Sequence, residues 1–188
     1  MIQERSLIRA FQHGDDFAFV SLYNRYKGPI YTFCVRMLLD RDAAQDAMQE
    51  TFLRIYENRD RLLKTAAFKP WLFSVARNQC LNMLRKRKRC IRLDESLAQR
   101  MQAPASRALE KSEQRALVTH FLGQLKPEYR EVIVLREYQN MSYAEIAAVT
   151  KSTLSAVKSR LFKARRKLAE SMKPFMQHEA QRLAAIES

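Results

Sequence analysis

Apolar residues recur every three or four positions along most of this chain, a spacing that predicts helices rather than strands. The pattern begins with a short helix around Leu7 and Phe11, which ends at His13 and Gly14. A longer helix follows, for which Asp15 or Asp16 can act as the N-cap. Because Gly28 and Pro29 fall inside this second stretch, we expect a kink or a break there.

Two further helices complete the first half of the pattern. Asp40 marks the start of the third helix, whose buried stripe is predicted to comprise Ala44, Ala47, Met48, Phe52 and Ile55. The fourth is predicted to start near Pro70, since proline is favourable in the first turn of a helix. Helical periodicity is then lost at about 92–108, which indicates a linker.

The second half of the chain predicts a helix-turn-helix. Pro127 opens one helix, and Ser142 and Glu145 have the spacing of a capping box at the start of another. Thr153 can then cap a longer helix, whose buried stripe would be Val157, Leu161, Ala164 and Leu168. The sequence therefore predicts an all-α protein of two small helical domains joined by a short linker.

Composition narrows the choice of partner. The net charge is +14 and the pI is about 10.0, which favours a polyanion such as nucleic acid. The 3 cysteines, Cys34, Cys80 and Cys90, lack metal or redox spacing and are expected to be buried thiols in a reducing cytoplasm. With no signal peptide and no long apolar run, we expect a soluble, cytoplasmic protein without membrane insertion.

The last helix of the helix-turn-helix carries a cationic, polar side opposite its apolar stripe. A major groove admits one helix, where Lys and Arg can bind guanine or phosphate. The alternative is a charged face that is merely solvated. The candidate residues from this helix are Ser155, Lys158, Ser159, Phe162, Lys163 and Arg165.

A second basic feature lies at 85–89 and continues the helix that carries Trp71, Asn78 and Asn82. Aromatic, amide and cationic side chains along one segment suit single-stranded nucleic acid. Taken alone, Trp71 is more typical of a core residue than of a stacking platform.

The third helix has the opposite charge, with Asp42, Asp46, Glu50 and Glu57 at helical spacing. In so basic a protein, an acidic helix is better suited to another protein than to DNA, although it could also simply face solvent.

Two other functions remain open from the residues alone. The chain could be an ordinary helix-turn-helix regulator whose first half dimerises or senses a signal. It could also be a nuclease with Mg²⁺ held by Asp42, Asp46 and Glu50, but one helix face supplies no converging carboxylate from a second element. His13 and the other histidines are scattered, so we expect no catalytic residues, no metal and no cofactor.

The order of the motifs resembles the extracytoplasmic-function group of the sigma-70 family. The resemblance rests on Ala18-Phe19, Asp46 to Arg54, Phe68 to Asn78, Glu131 to Glu137, Ser142 to Ala147 and Val157 to Arg165. It implies sigma domain 2 at 1–92, a linker at 93–108, sigma domain 4 at 109–173 and a C-terminal tail at 174–188 that could be helical.

The resemblance also implies partners and roles. Core RNA polymerase would bind Asp46, Gln49, Glu50 and Arg54. The single-stranded minus-10 element of the promoter would bind Phe68, Trp71, Arg77, Asn78, Asn82 and Arg85. Duplex minus-35 DNA would bind Arg136, Tyr143, Ser155, Lys158, Ser159, Phe162, Lys163 and Arg165. An anti-sigma factor is a further expected partner.

Two positions depart from the family's pattern. Lys151 stands in the helix-turn-helix turn where glycine is common, so we expect strain or a changed turn. The loop at 62–67, which would set the minus-10 base preference, also lacks a usual glycine.

Overall fold

The computed structural model describes residues 4–60, 68–93 and 111–186, and every regular element in these ranges is helical. The helices are α1 (Glu4–Gln12), α2 (Asp16–Leu38), α3 (Arg41–Glu57), α4 (Phe68–Leu93), α5 (Lys111–Gln124), α6 (Pro127–Ile133), α7 (Tyr143–Thr150) and α8 (Leu154–Ile186). A π-helical turn, Val134–Tyr138, continues α6. The predicted all-α class is confirmed, while most of the expected linker and the loop at 62–67 lie outside the described residues.

The helix starts are set by the predicted capping residues. Asp15 is the N-cap of α2, where its carboxylate accepts from two backbone N–H groups, and Asp40 does the same for α3. Ser142 and Glu145 form the complete capping box of α7. The Thr153 hydroxyl accepts from an N–H in the first turn of α8, at 3.2 Å. These side chains satisfy donors that a helix start leaves free.

Of the kink or break predicted in α2, the break is wrong, because the helix runs without interruption through Gly28 and Pro29. An internal proline removes one backbone hydrogen bond and crowds the preceding turn. Tyr26, Ile30 and Phe33 are buried on either side of it. Packing of both parts of α2 against the same core therefore outweighs the local cost.

The first four helices, which we call the N-terminal half, pack around the apolar side of α2. The Phe33 ring of α2 meets the Phe73 ring of α4 edge-on, with centroids 5.6 Å apart. Between α2 and α3, the Tyr23 and Phe52 rings have a similar geometry at 4.8 Å. In α1, the Glu4 carboxylate accepts from the Tyr26 hydroxyl at 2.8 Å. Burial and this contact raise the pKa of that phenol.

Helices α5 to α8 form the C-terminal half, which contains the predicted helix-turn-helix of α7 and α8. Val157, Leu161 and Ala164 are buried, and Leu168 is partly buried, as the apolar stripe predicted. Lys151 ends α7 with a φ of 50°. Beyond the helix-turn-helix, α8 continues through Pro174, and the Phe175 ring contacts the Phe121 ring of α5 at 6.2 Å.

The two halves share one apolar core. Buried side chains of α2, such as Phe33 and Met37, belong to the same cluster as Leu122, Val134 and Leu135 of the C-terminal half. Helix α4 lies against α7, and α2 lies against the π-helical turn. Of the helices in the described ranges, none combines the length and apolar character needed to cross a membrane.

Candidate nucleic-acid and protein interfaces

An acidic surface lies on the exposed side of α3, opposite the residues that this helix buries. We define it as Asp42, Asp46, Gln49, Glu50 and Glu57. The Arg54 guanidinium donates to the Glu50 carboxylate at 2.7 Å, one helical turn away, and both side chains are about half exposed. All the residues predicted to bind polymerase from this helix are therefore within reach of a partner.

Leu53 adds an apolar group to the acidic surface, with 53% of the residue exposed. A purely solvated face gains nothing from an exposed leucine. Protein interfaces, in contrast, combine an apolar centre with a polar rim. The combination of Leu53 with carboxylates favours a protein partner for α3.

Four of the six predicted minus-10 residues share one side of α4, which we call the α4 face. Trp71, Asn78, Asn82 and Arg85 follow one another at intervals of about two, one and one helical turns. Asn78, Asn82 and Arg85 are exposed, whereas Trp71 is partly buried and packs against the core. The Arg85 guanidinium donates to the Asn82 side-chain oxygen at 3.2 Å.

The other two predicted minus-10 residues lie elsewhere on α4. Phe68 is 6% exposed, and its ring packs edge-on against Tyr26 with centroids 5.4 Å apart. Arg77 points toward the C-terminal half, where its guanidinium donates twice to Glu131. Neither side chain is presented to solvent together with the α4 face.

The basic run at 85–89 extends the α4 face toward the end of the helix. All its side chains are exposed except that of Arg87, which is partly buried. Arg89 continues the row of Trp71, Asn78, Asn82 and Arg85 one turn further on. Bases and phosphates of a single strand could thus both be contacted from one side of α4.

The long helix α8 presents a recognition face, which consists of Ser155, Lys158, Ser159 and Phe162. All four residues are exposed, and Phe162 is 67% exposed despite being a large aromatic. Lys163 and Arg165 flank this face. An apolar ring among cations and hydroxyls matches the edges of a major groove, where thymine methyl groups lie beside hydrogen-bonding bases.

Contacts within the protein hold two of the predicted minus-35 arginines in place. Arg165 pairs with Glu137 at 2.7 Å, a contact that raises the pKa of the guanidinium. Arg136 donates to the Met141 carbonyl at 2.8 Å and lies over the Tyr143 ring at 5.2 Å from its centroid. Both arginines are thus positioned by other side chains or backbone before any DNA arrives.

A depression of about 460 Å³ joins these side chains across α7 and α8. Tyr143, Lys158, Phe162 and Arg165 line it. The structure therefore brings residues from the start of α7 to the same surface as the recognition face. In the sequence, Tyr143 is more than a dozen positions away from the residues of α8 that line the depression.

Neither metal chemistry nor a thiol site is supported in the described part of the chain. No group of three or more His, Cys, Asp or Glu residues within residues 4–60, 68–93 and 111–186 could hold a metal ion. Cys34 and Cys80 are buried, and a hydrogen bond between their thiols raises the pKa of Cys80 well above its usual range. Cys90 is exposed, so the expectation that all three cysteines are buried is wrong for it.

Sequence reasoning missed two charged residues at the centre of the molecule. Arg130 is buried and donates to four carbonyl groups, three in its own half and one, that of Met37, in α2. Burial lowers the pKa of Arg130 to about 10, which leaves it charged at neutral pH. Glu131 is buried beside it and binds Arg77. The one sequence signal for them was that two charged residues stand side by side directly before the apolar run Val132–Leu135.

Comparison with known proteins covers both halves of the chain. Residues 22–90 match the family model for sigma-70 region 2, and residues 115–168 match that for sigma-70 region 4. RNA polymerase sigma-H factor of Pseudomonas aeruginosa is 30% identical over 93% of this chain and 96% of its own length. The ECF RNA polymerase sigma factor SigW of Bacillus subtilis is also 30% identical, over 92% of this chain and 97% of its own.

Solved structures with the same fold include CnrH in complex with the cytosolic domain of CnrY. That chain superposes with a TM-score of 0.72 at 25% identity, covering 91% of this chain and 97% of its own. An ordinary helix-turn-helix regulator would need the N-terminal half to be a dimerisation or sensor domain. The match of residues 22–90 to sigma-70 region 2 argues against that alternative.

Proposed function

The chain belongs to the extracytoplasmic-function group of the sigma-70 family of RNA polymerase sigma factors, and from this premise we propose how its surfaces divide the work. It binds core RNA polymerase, directs initiation of transcription at promoters, and is not an enzyme. We propose that sigma domain 2 spans 1–92, the linker 93–108, sigma domain 4 109–173 and the tail 174–188.

The acidic surface of α3 is proposed to bind the polymerase, with Asp46, Gln49, Glu50 and Arg54 as the contact residues. Its charge is opposite to that of the DNA-facing surfaces, and exposed Leu53 supplies an apolar centre. Phosphates repel carboxylates, so this side of α3 is the least suited of the three surfaces to touch DNA.

The α4 face is proposed to hold the separated minus-10 strand, with Trp71, Asn78, Asn82 and Arg85 facing it. Exposed amides can hydrogen-bond an unstacked base, and flipping that base costs about a few kcal/mol that contacts with the α4 face must offset. Buried Phe68 supports this face by packing beneath it, whereas Arg77 lies on another side of α4 and binds Glu131.

The recognition face of α8 is proposed to read the minus-35 duplex. Ser155, Lys158, Ser159 and Phe162 would enter the major groove, while Arg136, Tyr143, Lys163 and Arg165 contact its walls. Each DNA-binding surface alone is small, and the polymerase raises the effective concentration of the second once the first is bound. Isolated protein should therefore bind promoter DNA weakly.

The separation of one acidic and two basic surfaces onto three helices is the observation that carries this proposal. Run-off transcription with bacterial core polymerase on a library of genomic promoters tests it. We expect transcripts only when both protein and core are present. Tight binding to a palindromic duplex without core, and no transcripts with it, would overturn the proposal.

Two further expectations follow from the family. We propose a cytoplasmic location, where the polymerase and the chromosome are found. We also propose that an anti-sigma factor binds this chain, which is supported by the complex of the similar chain CnrH with a domain of another protein.

A further inference from the structure

A π-helical turn carries a carboxylate to the edge of the recognition face. The turn, Val134–Tyr138, continues α6, and turns of this kind are rare and occur mostly singly, often at functional sites. Val134 and Leu135 at its start are buried, whereas Glu137 is exposed. Glu137 is therefore an exposed charge on a stretch of backbone that is anchored in the core.

Two hydrogen bonds close the segment that follows this turn. The Met141 N–H donates to the Leu135 carbonyl at 3.1 Å, and the Arg136 guanidinium donates to the Met141 carbonyl at 2.8 Å. Met141 is itself buried. The backbone on either side of Glu137 is thus held in one conformation before any DNA binds.

Glu137 pairs with one of the residues proposed to contact minus-35 DNA. Its carboxylate accepts from Nη2 of Arg165 on α8 at 2.7 Å. The Tyr143 side chain lies within reach of the same guanidinium and lines the same depression. A guanidinium has five N–H donors, and the contact with Glu137 uses one of them. Arg165 can therefore bind a phosphate while it keeps its hydrogen bond to Glu137.

We propose that Glu137 is a positioning residue for the minus-35 contact. It holds Arg165 toward the DNA backbone beside the recognition face, and so strengthens binding although its own charge has the same sign as that of DNA. This role rests on the proposed function, which assigns Arg165 to the wall of the minus-35 groove. The pair between Glu137 and Arg165 does not depend on that assignment.

The charge of Glu137 and its hydrogen bond act on DNA binding in opposite directions. A carboxylate repels nearby phosphates, so its removal should by itself tighten binding. Both side chains of the pair are about half exposed, and water and salt screen this repulsion. The hydrogen bond restricts a long side chain in advance, and that side chain would otherwise lose its freedom on binding. We expect this second effect to be the larger.

The experiment measures how the full-length chain, bound to bacterial core polymerase, binds a labelled duplex promoter fragment. The fragment is one that the parent transcribes in the run-off assay. Glu137→Gln removes the charge of the carboxylate and keeps the shape of the side chain. Glu170→Gln is the matched control, because Glu170 is also exposed and also pairs with an arginine of α8, Arg166.

Glu137→Gln is expected to weaken the apparent affinity about threefold to tenfold, measured by fluorescence anisotropy at several salt concentrations. If Arg165 loses its phosphate contact, the slope of log affinity against log salt becomes shallower by about one. Glu170→Gln should not weaken the affinity and should keep the slope. Urea unfolding should be the same for the parent and both variants, since exposed ion pairs add little stability.

A second comparison tests whether Glu137 acts through Arg165. Arg165→Gln should itself weaken binding. When Glu137→Gln is added to that variant, we expect no further loss, because no guanidinium is left to position. The affinity should stay equal or rise, since only the repulsion between the carboxylate and the phosphates is removed.

Three results would count against the proposal. Unchanged or tighter binding by Glu137→Gln would show that positioning does not outweigh repulsion. An unchanged salt slope, or an equal loss with and without Arg165, would show that Glu137 does not act through this arginine. A parent protein that supports no transcription with core polymerase would instead refute the proposed function, and the role of Glu137 with it.

Discussion

Lys151 sits in a backbone conformation that side chains disfavour, with a φ of 50° at the end of α7. The sequence predicted strain or a changed turn, and the structure shows a left-handed cap at this lysine. The N–H groups of Lys151 and Ser152 both donate to the Ala147 carbonyl. Thr150 and Ser152 add a hydroxyl contact at 2.7 Å across the turn.

Lys151→Gly should therefore stabilise the protein. A left-handed conformation costs a side chain about 1–2 kcal/mol, and part of that gain is offset by the larger entropy that glycine loses on folding. We expect a net increase of about 0.5–1 kcal/mol in the free energy of unfolding. Urea denaturation measures it. Lys151→Ala keeps the strain, so an equal gain in that variant would contradict the explanation.

Asn78 is the residue on which the melting role of the α4 face depends most directly. Because its side chain is exposed and no buried group relies on it, Asn78→Ala should keep the fold and the affinity for core. We expect transcription from duplex promoters to fall at least about tenfold, a loss of roughly 1.4 kcal/mol. Run-off transcription on duplex and pre-melted templates measures it.

Two comparisons make the Asn78 result interpretable. Asn24→Ala replaces an exposed asparagine of α2, away from the α4 face, and should transcribe normally. Normal transcription by Asn78→Ala from both templates would remove this residue from the minus-10 surface.

At the residue scale, exposure could be predicted but partners could not. Helical spacing placed Lys158 on the outer face of its helix because it lies opposite the apolar stripe, and the structure shows both Lys158 and Asn78 exposed. The family resemblance assigned Arg77 to DNA, while in the structure it binds Glu131 across 54 positions of sequence. Periodicity identifies the side of a helix, but not what another part of the chain places against it.

Helix α7 illustrates, at the scale of an element, how a start signal is read from sequence. The Ser142 N–H donates to the Glu145 carboxylate at 2.8 Å, and the Glu145 N–H donates to the Ser142 hydroxyl at 3.2 Å. The backbone hydrogen bond from Ser142, joined by its hydroxyl and by Lys69, holds the pKa of Glu145 below its usual value.

This lowered pKa predicts a pH dependence for the stability of α7. The carboxylate stabilises the folded state above the usual glutamate pKa, and its contribution is lost as the pH falls through the lower folded value. Glu145→Gln should cost about 0.3–1 kcal/mol at pH 7 and almost nothing at pH 3. Urea denaturation at both pH values measures this difference.

The control for Glu145 is Glu57→Gln, at the opposite, C-terminal end of a helix. A carboxylate there gains nothing from the helix dipole, so its replacement should not destabilise the protein at pH 7. A constant cost of Glu145→Gln at both pH values would show that its charge is not what matters.

Most helix starts were predictable from capping residues, and the differences in α2 and α4 have packing reasons. Helix α4 begins at Phe68 rather than near Pro70, because Phe68 is already buried against Tyr26. Helix α2 continues through Pro29 because core residues flank it on both sides. Local sequence signals identified the capping residues. Burial against other helices decided whether a helix continued through a residue that disfavours helix, such as Pro29.

For the whole molecule, polymerase binding should depend on the charge of the acidic surface. Glu50→Lys reverses one charge at its centre and breaks a half-exposed pair with Arg54 that is worth little. We expect affinity for core to fall about tenfold or more, since opposed like charges cost over 1.4 kcal/mol. Fluorescence titration of labelled protein with core measures it.

Glu170→Lys is the matched control, because it reverses an exposed charge on α8 that also pairs one turn away. It should leave core affinity unchanged. An equal loss in both variants would indicate a general effect of net charge, and an altered unfolding curve for Glu50→Lys would indicate a damaged fold.

The division into two helical halves was predictable, but their association was not. Sequence motifs and charge predicted the three surfaces, because the residues of each surface lie on one or two neighbouring helices. Contact between the halves depends on Arg36, Lys69 and Gln139, which carry no local signal and meet only in the folded chain.

The apolar cluster shared by the two halves also makes their association sensitive to cold. The free energy gained by burying nonpolar surface becomes smaller as the temperature falls. The ion pair between Arg77 and Glu131 does not rest on nonpolar burial. We therefore expect the association of the two halves to weaken when the protein is cooled.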